Sequence, residues 1–244
     1  FDLIDQFVTT NEFMSEMMVK AGFAPSRITC IPTFTDLDTF SPATGPQLRD
    51  YLLYVGRLDK PKGVHVLIEA MLRLARERGG AIPKLLIAGA GHDAGYTDAL
   101  KRRVSEAGLD ERIAFKGNVA GAEIPNLMRG AIASIMPAIW FENLPNSVVE
   151  SLACGCPVVA SDLGSLSYTV ADGQDGLLFR PDDAADLARK IARILDEPGL
   201  RDRLAEGARQ TAVRRHGPKD HVAKLTTLFG DLLSLRSGSR PSVA

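Results

Sequence analysis

The chain's 244 residues suffice for one large domain or one and a half, and 45% hydrophobic with 24% charged residues is the composition of a folded globular protein. Lys and Arg number 29 against 30 Asp and Glu, so a net charge of −1 supplies no overall basic field for nucleic acid. No apolar run approaches the roughly 20 residues of a membrane-spanning helix, and no secretory signal pattern is visible.

The chain begins at Phe1 in mid-pattern, as a piece of a longer protein would. Residues 6–10 read as a short strand. Asn11 is placed to cap a helix over 12–21, with Met14, Met17, Met18 and Ala21 at helical spacing and Gly22 as the stop. A methionine stripe of this kind reads as core. Residues 28–31 form another short strand closed by Pro32. The stretch 33–50 is rich in Pro, Gly, Ser, Thr and Asp with no sustained period, a linker composition that marks a domain boundary.

Beyond it strands alternate with helices. Strands are expected at 51–55, 85–88, 112–115, 131–136, 158–160 and 177–179. Helices are expected at 64–78, 96–107, 123–128, 183–196, 200–215 and 219–235, with a further short one starting near Asn143. The polar tail 237–244 reads as flexible. Repeated strand–helix units imply a Rossmann-like α/β fold, a parallel sheet with helices on both faces. In such sheets ligands bind beyond the carboxyl ends of the strands. The unusual residues fall there: Gly56 and Arg57 after the first strand, Gly89 to Gly91 after the second, Gly117 after the third and Glu142 after the fourth.

The cysteines, Cys30, Cys154 and Cys156, lack the spacing of a redox or zinc motif and read as reduced core thiols in a reducing compartment. His65, His216 and His221 have no partner pattern and read as structural; His92 reads as exposed. The runs Lys101-Arg102-Arg103 and Arg214-Arg215 read as solvated helix faces, the second also as a candidate contact for anionic lipid.

Two stretches carry chemistry. G-R-L-D-K-P-K-G, from Gly56 to Gly63, matches neither the dinucleotide fingerprint nor the ATP P-loop. It offers two cations, Arg57 and Lys62, on a loop at the strand ends; the residues alone leave open whether these bind phosphates or are solvated. Lys60 reads as solvent-facing. The second stretch is W-F-E-N-L-P-N-S-V-V-E-S-L-A-C-G-C-P-V-V-A-S, from Trp140 to Ser161. It reads as a loop, a helix capped by Asn143 with Pro145 in its first turn and Gly155 at its end, and a buried strand. A helix start beside carboxylates suits a phosphorylated sugar compound.

The run W-x-E-N-x-P-N-x-V-x-E-x-x-A-x-G-x-P-V-V-A-S resembles the E-x7-E signature of retaining GT-B glycosyltransferases, family 4 above all. The resemblance implies a transfer of sugar from a nucleotide-diphosphate donor to a glycan or lipid-linked acceptor, with retention of configuration, as in polysaccharide biosynthesis. It implies that Arg57 and Lys62 bind the diphosphate, that Glu150 holds the ribose hydroxyls and that Glu142 lies near the transferred sugar. The amides from Asn143 through Leu144, Pro145, Asn146 and Ser147 then face the donor, although N-L-P stands where many relatives have P-F-G. Ser167-Tyr168 stands where many have P-E, so donor preference does not carry across. Gly56 and Gly91 belong to loops that approach the donor; read alone, Gly89 to Gly91 is a tight turn. No cofactor and no metal is expected, since the family usually needs none. The domains implied are a remnant of the acceptor-binding half (1–33), a linker (34–50), the nucleotide-sugar-binding domain (51–217), a helix crossing back (218–236) and the tail (237–244). Such an enzyme is cytoplasmic or peripheral at the inner face of the cell membrane, and this piece alone is expected to be inactive. A non-catalytic nucleotide-sugar-binding module and a GT-B-type sugar-nucleotide epimerase are the alternatives.

Overall fold

In the computed structural model, which describes residues 3–238, the chain builds two parallel sheets. The smaller pairs β1 (Phe7–Thr9) with β2 (Ile28–Cys30), joined through α1 (Glu12–Lys20). Asn11 caps α1, its Oδ1 accepting from the Met14 amide at 2.9 Å. The methionine stripe is not core, because no residue of α1 is buried. A sheet of two three-residue strands offers too small a face to cover the stripe. Residues 33–50 form no helix or strand, yet they are laid firmly on the rest. Arg129 donates to the carbonyls of Ser41 and Thr39 at 2.7 Å each, and Arg209 donates to the carbonyls of Phe40 at 3.1 Å and Ala153 at 2.9 Å.

The larger sheet contains β3 (Tyr51–Val55), β4 (Lys84–Ala88), β5 (Ile113–Gly117), β6 (Ala131–Met136), β7 (Val158–Ser161) and β8 (Gly176–Phe179). All are parallel, in the order β5-β4-β3-β6-β7-β8. The connecting helices are α2 (Val64–Glu77), α3 (Ala94–Glu106), α4 (Ile124–Arg129), α5 (Asn146–Ala153), α6 (Ser165–Thr169), α7 (Ala184–Asp196) and α8 (Leu200–Arg215). Side chains from α2, α3 and α7 pack on the sheet in one apolar cluster, and those of α5, α6 and α8 in a second. α2 anchors the first: Val64, Val66, Leu67, Ile68, Ala70, Met71, Leu72 and Leu74 are all buried. Each large one contributes about 1.5–3 kcal/mol. The helix is thus a rigid base for the turn that precedes it.

The expected strands and helices are present, their ends shifted by at most three residues. The short α6 went unpredicted, since S-L-S-Y-T has no readable period. α9 (Pro218–Gly238) runs through the first two residues of the stretch expected to be flexible; positions 239–244 lie outside the described residues. Among the described residues no helix is long and apolar enough to cross a membrane.

In this strand order the chain winds outward from β3 to β5 on one side, then returns to β6 and winds the other way to β8. The reversal lies between β3 and β6, where open α/β sheets hold their ligand crevice.

Candidate functional site

The loops after β3 and β6 are stitched together at that reversal. The Ile139 amide donates to the Pro61 carbonyl at 2.9 Å. Gly63 closes the turn with φ +73°, so close to the β6 loop that a Cβ there would lie 1.8 Å from the Pro137 oxygen. Only glycine fits this conformation and this contact. The turn delivers Lys62 to Glu142: Nζ and Oε1 are 2.7 Å apart, with Lys62 partly and Glu142 almost fully buried, the latter 7% exposed. The Trp140 indole N–H donates to the same oxygen at 2.5 Å, and its ring lies 5.6 Å from the ammonium. Ser165 Oγ, at the start of α6, donates to the Glu142 backbone carbonyl at 2.6 Å. Glu142 Oε2 has no protein partner among the described residues and is not shut off from solvent.

Arg57 lies on the same loop but points to a neighbouring space. With Val55, Gly56, Ala88, Gly89, Ala90, Asn118, Val119 and Ile124 it lines a cleft of about 250 Å³ over the ends of β3, β4 and β5. Its side chain is 56% exposed, with the guanidinium 3.2 Å from Asp59, while Tyr54 donates to its backbone carbonyl at 2.6 Å and fixes the loop. Gly91 is on the far side of the β4 loop, in a second cavity, where its Cα nearly touches the Leu58 carbonyl: a Cβ would lie 2.3 Å from that oxygen. Glu150 lies on α5, half-buried, with no side-chain hydrogen bond or ion pair among the described residues. Burial alone pushes its pKa up. It does not line the 250 Å³ cleft, but α4, whose Ile124 does, packs against α5.

Asn143 does not cap α5. Pro145 occupies the cap position instead, with no side-chain cap bond, and the helix starts at Asn146. The Asn143 side chain turns toward the small sheet, where Thr10 Oγ1 donates to its Oδ1 at 2.8 Å and Asn11 Nδ2 donates to its backbone carbonyl at 2.5 Å. Leu144 lines a small pocket there with Thr10, Asn11 and Glu12. The amides of Asn146 and Ser147 make no backbone hydrogen bond among the described residues, so the start of α5 presents free donors. Gly155 ends the helix with φ +65° as expected.

The structure therefore joins Lys62 to Glu142, puts Gly56 and Arg57 on the Lys62 loop but in a neighbouring cleft, and brings neither Gly91 nor Glu150 into contact with the pair. The sequence assigns no role to Trp140 or Ser165, and to Asn11 only that of a helix cap. Trp140 stood inside the motif and its indole donor was a readable signal; a serine hydroxyl meeting a carbonyl 23 residues away leaves none. His65, His216 and His221 are structural, with Nδ1 atoms on the Tyr96 hydroxyl, the Thr33 carbonyl and the Pro32 carbonyl at 2.9, 2.8 and 2.8 Å. Lys60 and His92 are exposed. Cys154 and Cys156 are buried free thiols, pushed by burial up to about 11 and about 12, and Cys30 is a half-buried one, raised in the same direction.

A family model for the glycosyl transferases group 1 matches residues 40–211, a span that holds Arg57, Lys62, Glu142 and Glu150. The chain belongs to this family. Group 1 relatives include a D-inositol 3-phosphate glycosyltransferase of Frankia alni, 32% identical over 75% of this chain and 48% of its own length. A glycogen synthase of Mycobacterium tuberculosis is 37% identical over 69% of this chain and 39% of its own. The chain thus spans about half the length of the curated relatives it matches. Among solved structures, a glycosyltransferase from Rickettsia africae superposes with a TM-score of 0.84 at 21% identity, covering 94% of this chain and 64% of that one. The Anabaena protein HepE, solved with UDP and glucose, gives 0.80 at 21% identity, covering 94% and 63%. The parallel Rossmann-like sheet is that of GT-B glycosyltransferases.

Proposed function

We propose that this chain is the nucleotide-sugar-binding half of a retaining GT-B glycosyltransferase of family 4. The whole enzyme moves a sugar from a nucleotide-diphosphate donor to a glycan or lipid-linked acceptor. The observation that carries this reading is the Lys62–Glu142 pair at the β3/β6 reversal, with Arg57 on the same loop and the free amides of α5 beyond Glu142. Two cations and a helix start match the charge and oxygens of a diphosphate. Glu150, half-buried and without a countercharge, is a carboxylate that lacks hydroxyl donors, and a ribose diol supplies two.

In the reaction, Arg57 and Lys62 neutralise the charge growing on the leaving diphosphate. Glu142, held by Trp140 and Lys62 at one oxygen, keeps Oε2 for a sugar hydroxyl and steadies positive charge at the anomeric carbon. No side chain is assigned as a nucleophile, so retention follows from a front-face route in which the diphosphate takes the acceptor's proton. Catalysis then resides in electrostatics and positioning. We place the acceptor outside residues 40–211, on the half that the longer relatives carry, and association with the inner membrane face belongs to that acceptor. Gly56, Gly91, Asn143, Leu144 and Pro145 shape the loops around the donor.

The test is a thermal-shift screen of this chain against UDP-, GDP- and ADP-sugars. The neighbour HepE was solved in complex with UDP-glucose, so a UDP-sugar is the first to try. A ligand at 100 times its Kd stabilises the native state by about 2.7 kcal/mol. A clear rise in melting temperature with one of them is expected; no rise with any would contradict the reading.

A further inference from the structure

We infer that Asn11 is a positioning residue for the candidate donor loop, tying the small β1–α1–β2 unit to the carboxylate at the crevice. The inference rests on the donor-site reading of Glu142. Asn11 is 6% exposed and uses both ends of its side-chain amide. Its Oδ1 caps α1 through the Met14 amide at 2.9 Å, and its Nδ2 donates to the Asn143 carbonyl at 2.5 Å and, more weakly, to Thr10 Oγ1 at 3.3 Å. The cap alone requires only the oxygen. The nitrogen serves the loop.

That loop needs an outside restraint. Residues 143–145 lead into α5 with no side-chain cap of their own. Two successive carbonyls are instead held by side chains from elsewhere: Glu142 O by Ser165 Oγ at 2.6 Å, and Asn143 O by Asn11 Nδ2. Thr10 adds the bond to Asn143 Oδ1 at 2.8 Å. Next to them Phe13 of α1 lies against Phe141, ring centroids 5.1 Å apart, and Tyr168 donates to Glu16 at 2.8 Å. The carbonyls of the two successive peptides after Glu142 are thereby pinned beside the carboxylate that Lys62 and Trp140 hold. Moving the small unit away releases one of the two pins. Ordering of the donor loop is coupled to docking of the N-terminal unit.

Asn11→Asp separates the two tasks. The aspartate keeps the α1 cap, because Asp caps as well as Asn, but it has no donor for Asn143 and faces its carbonyl with a second oxygen. In the free chain, Asn11→Asp is expected to speed amide hydrogen exchange of Val148, whose N–H the Pro145 carbonyl holds at 3.0 Å, and to leave that of α1 unchanged. Its Kd for the UDP-, GDP- or ADP-sugar that most stabilises the wild type should rise about tenfold. Thr10→Val, which removes the bond to Asn143 Oδ1 and the weak one from Asn11 Nδ2 but keeps the Asn11–Asn143 bond, should give a smaller change of the same kind, and it decides the matter if Asn11→Asp does not fold. Wild-type exchange at Val148 in these variants, or wild-type affinity, would overturn the inference. If no nucleotide sugar binds the wild-type chain, the donor reading fails, and the exchange measurement still decides whether Asn11 holds the loop.

Discussion

Lys62 and Glu142 face different demands from Arg57, although all three read alike in sequence as charges near strand ends. Arg57 is largely exposed, so Arg57→Ala should leave folding within about 0.5 kcal/mol of wild type and weaken nucleotide-sugar binding. Lys62→Ala strands the buried Glu142 carboxylate and should cost roughly 3 kcal/mol in chemical denaturation. Lys62→Met with Glu142→Leu should recover most of that stability and none of the binding; failure of the double variant to recover would mean that the pair is not the source of the loss. Glu150 shows the opposite sign. Burial raises its pKa above the usual 4.5, so the native state holds its proton at a pH where the unfolded chain has lost it. Stability from this group is therefore lost as pH rises from about 4.5 through the raised value. Glu150→Gln should melt at or above the wild-type temperature at neutral pH, yet show a smaller rise with nucleotide sugar. A lower melting point without ligand would contradict the picture of an uncompensated carboxylate. The meeting of Lys62 with Glu142 was legible because charge, spacing and strand ends are written in the sequence; that Arg57 and Glu150 stand apart from the pair was not. Trp140 and Ser165 were not given roles because their work is done by one directed hydrogen bond each.

The turn from Lys60 to Gly63 is the element on which the crevice depends. α2 buries one face completely and fixes the turn from behind, while the Pro61 carbonyl and Gly63 fix it to the β6 loop from in front. Gly63→Ala should destabilise by about 2–4 kcal/mol and abolish nucleotide-sugar binding, because the new Cβ forces the two loops apart. Gly79 also has positive φ but open space around it, so Gly79→Ala should cost only about 1 kcal/mol and spare binding; equal effects in a melting comparison would contradict the role of contact at Gly63. At this scale periodicity located the strands and helices well. It failed where packing, not pattern, decides. The α1 stripe has the spacing of a core face but little to pack on, and Asn143 has the chemistry of a cap but is drawn off by Thr10 and Asn11.

The described residues form a six-stranded parallel sheet that reverses between β3 and β6, with a small two-stranded unit beside the loop after β6. Its span is about half that of its curated relatives, and we expect the chain alone to bind donor but transfer no sugar. Nucleotide release measured with acceptor present, here and in the full-length protein, checks that. A further cavity, of about 420 Å³, lies away from the reversal, with Arg49 and Arg201 in its wall beside Asp196, Glu197 and Asp202. The most direct measurement is therefore a crystal structure of the chain soaked with the nucleotide sugar that stabilises it. The account predicts the diphosphate between Arg57, Lys62 and the start of α5, with the ribose on Glu150. Density in the cavity of Arg49 and Arg201, with the crevice empty, would contradict it.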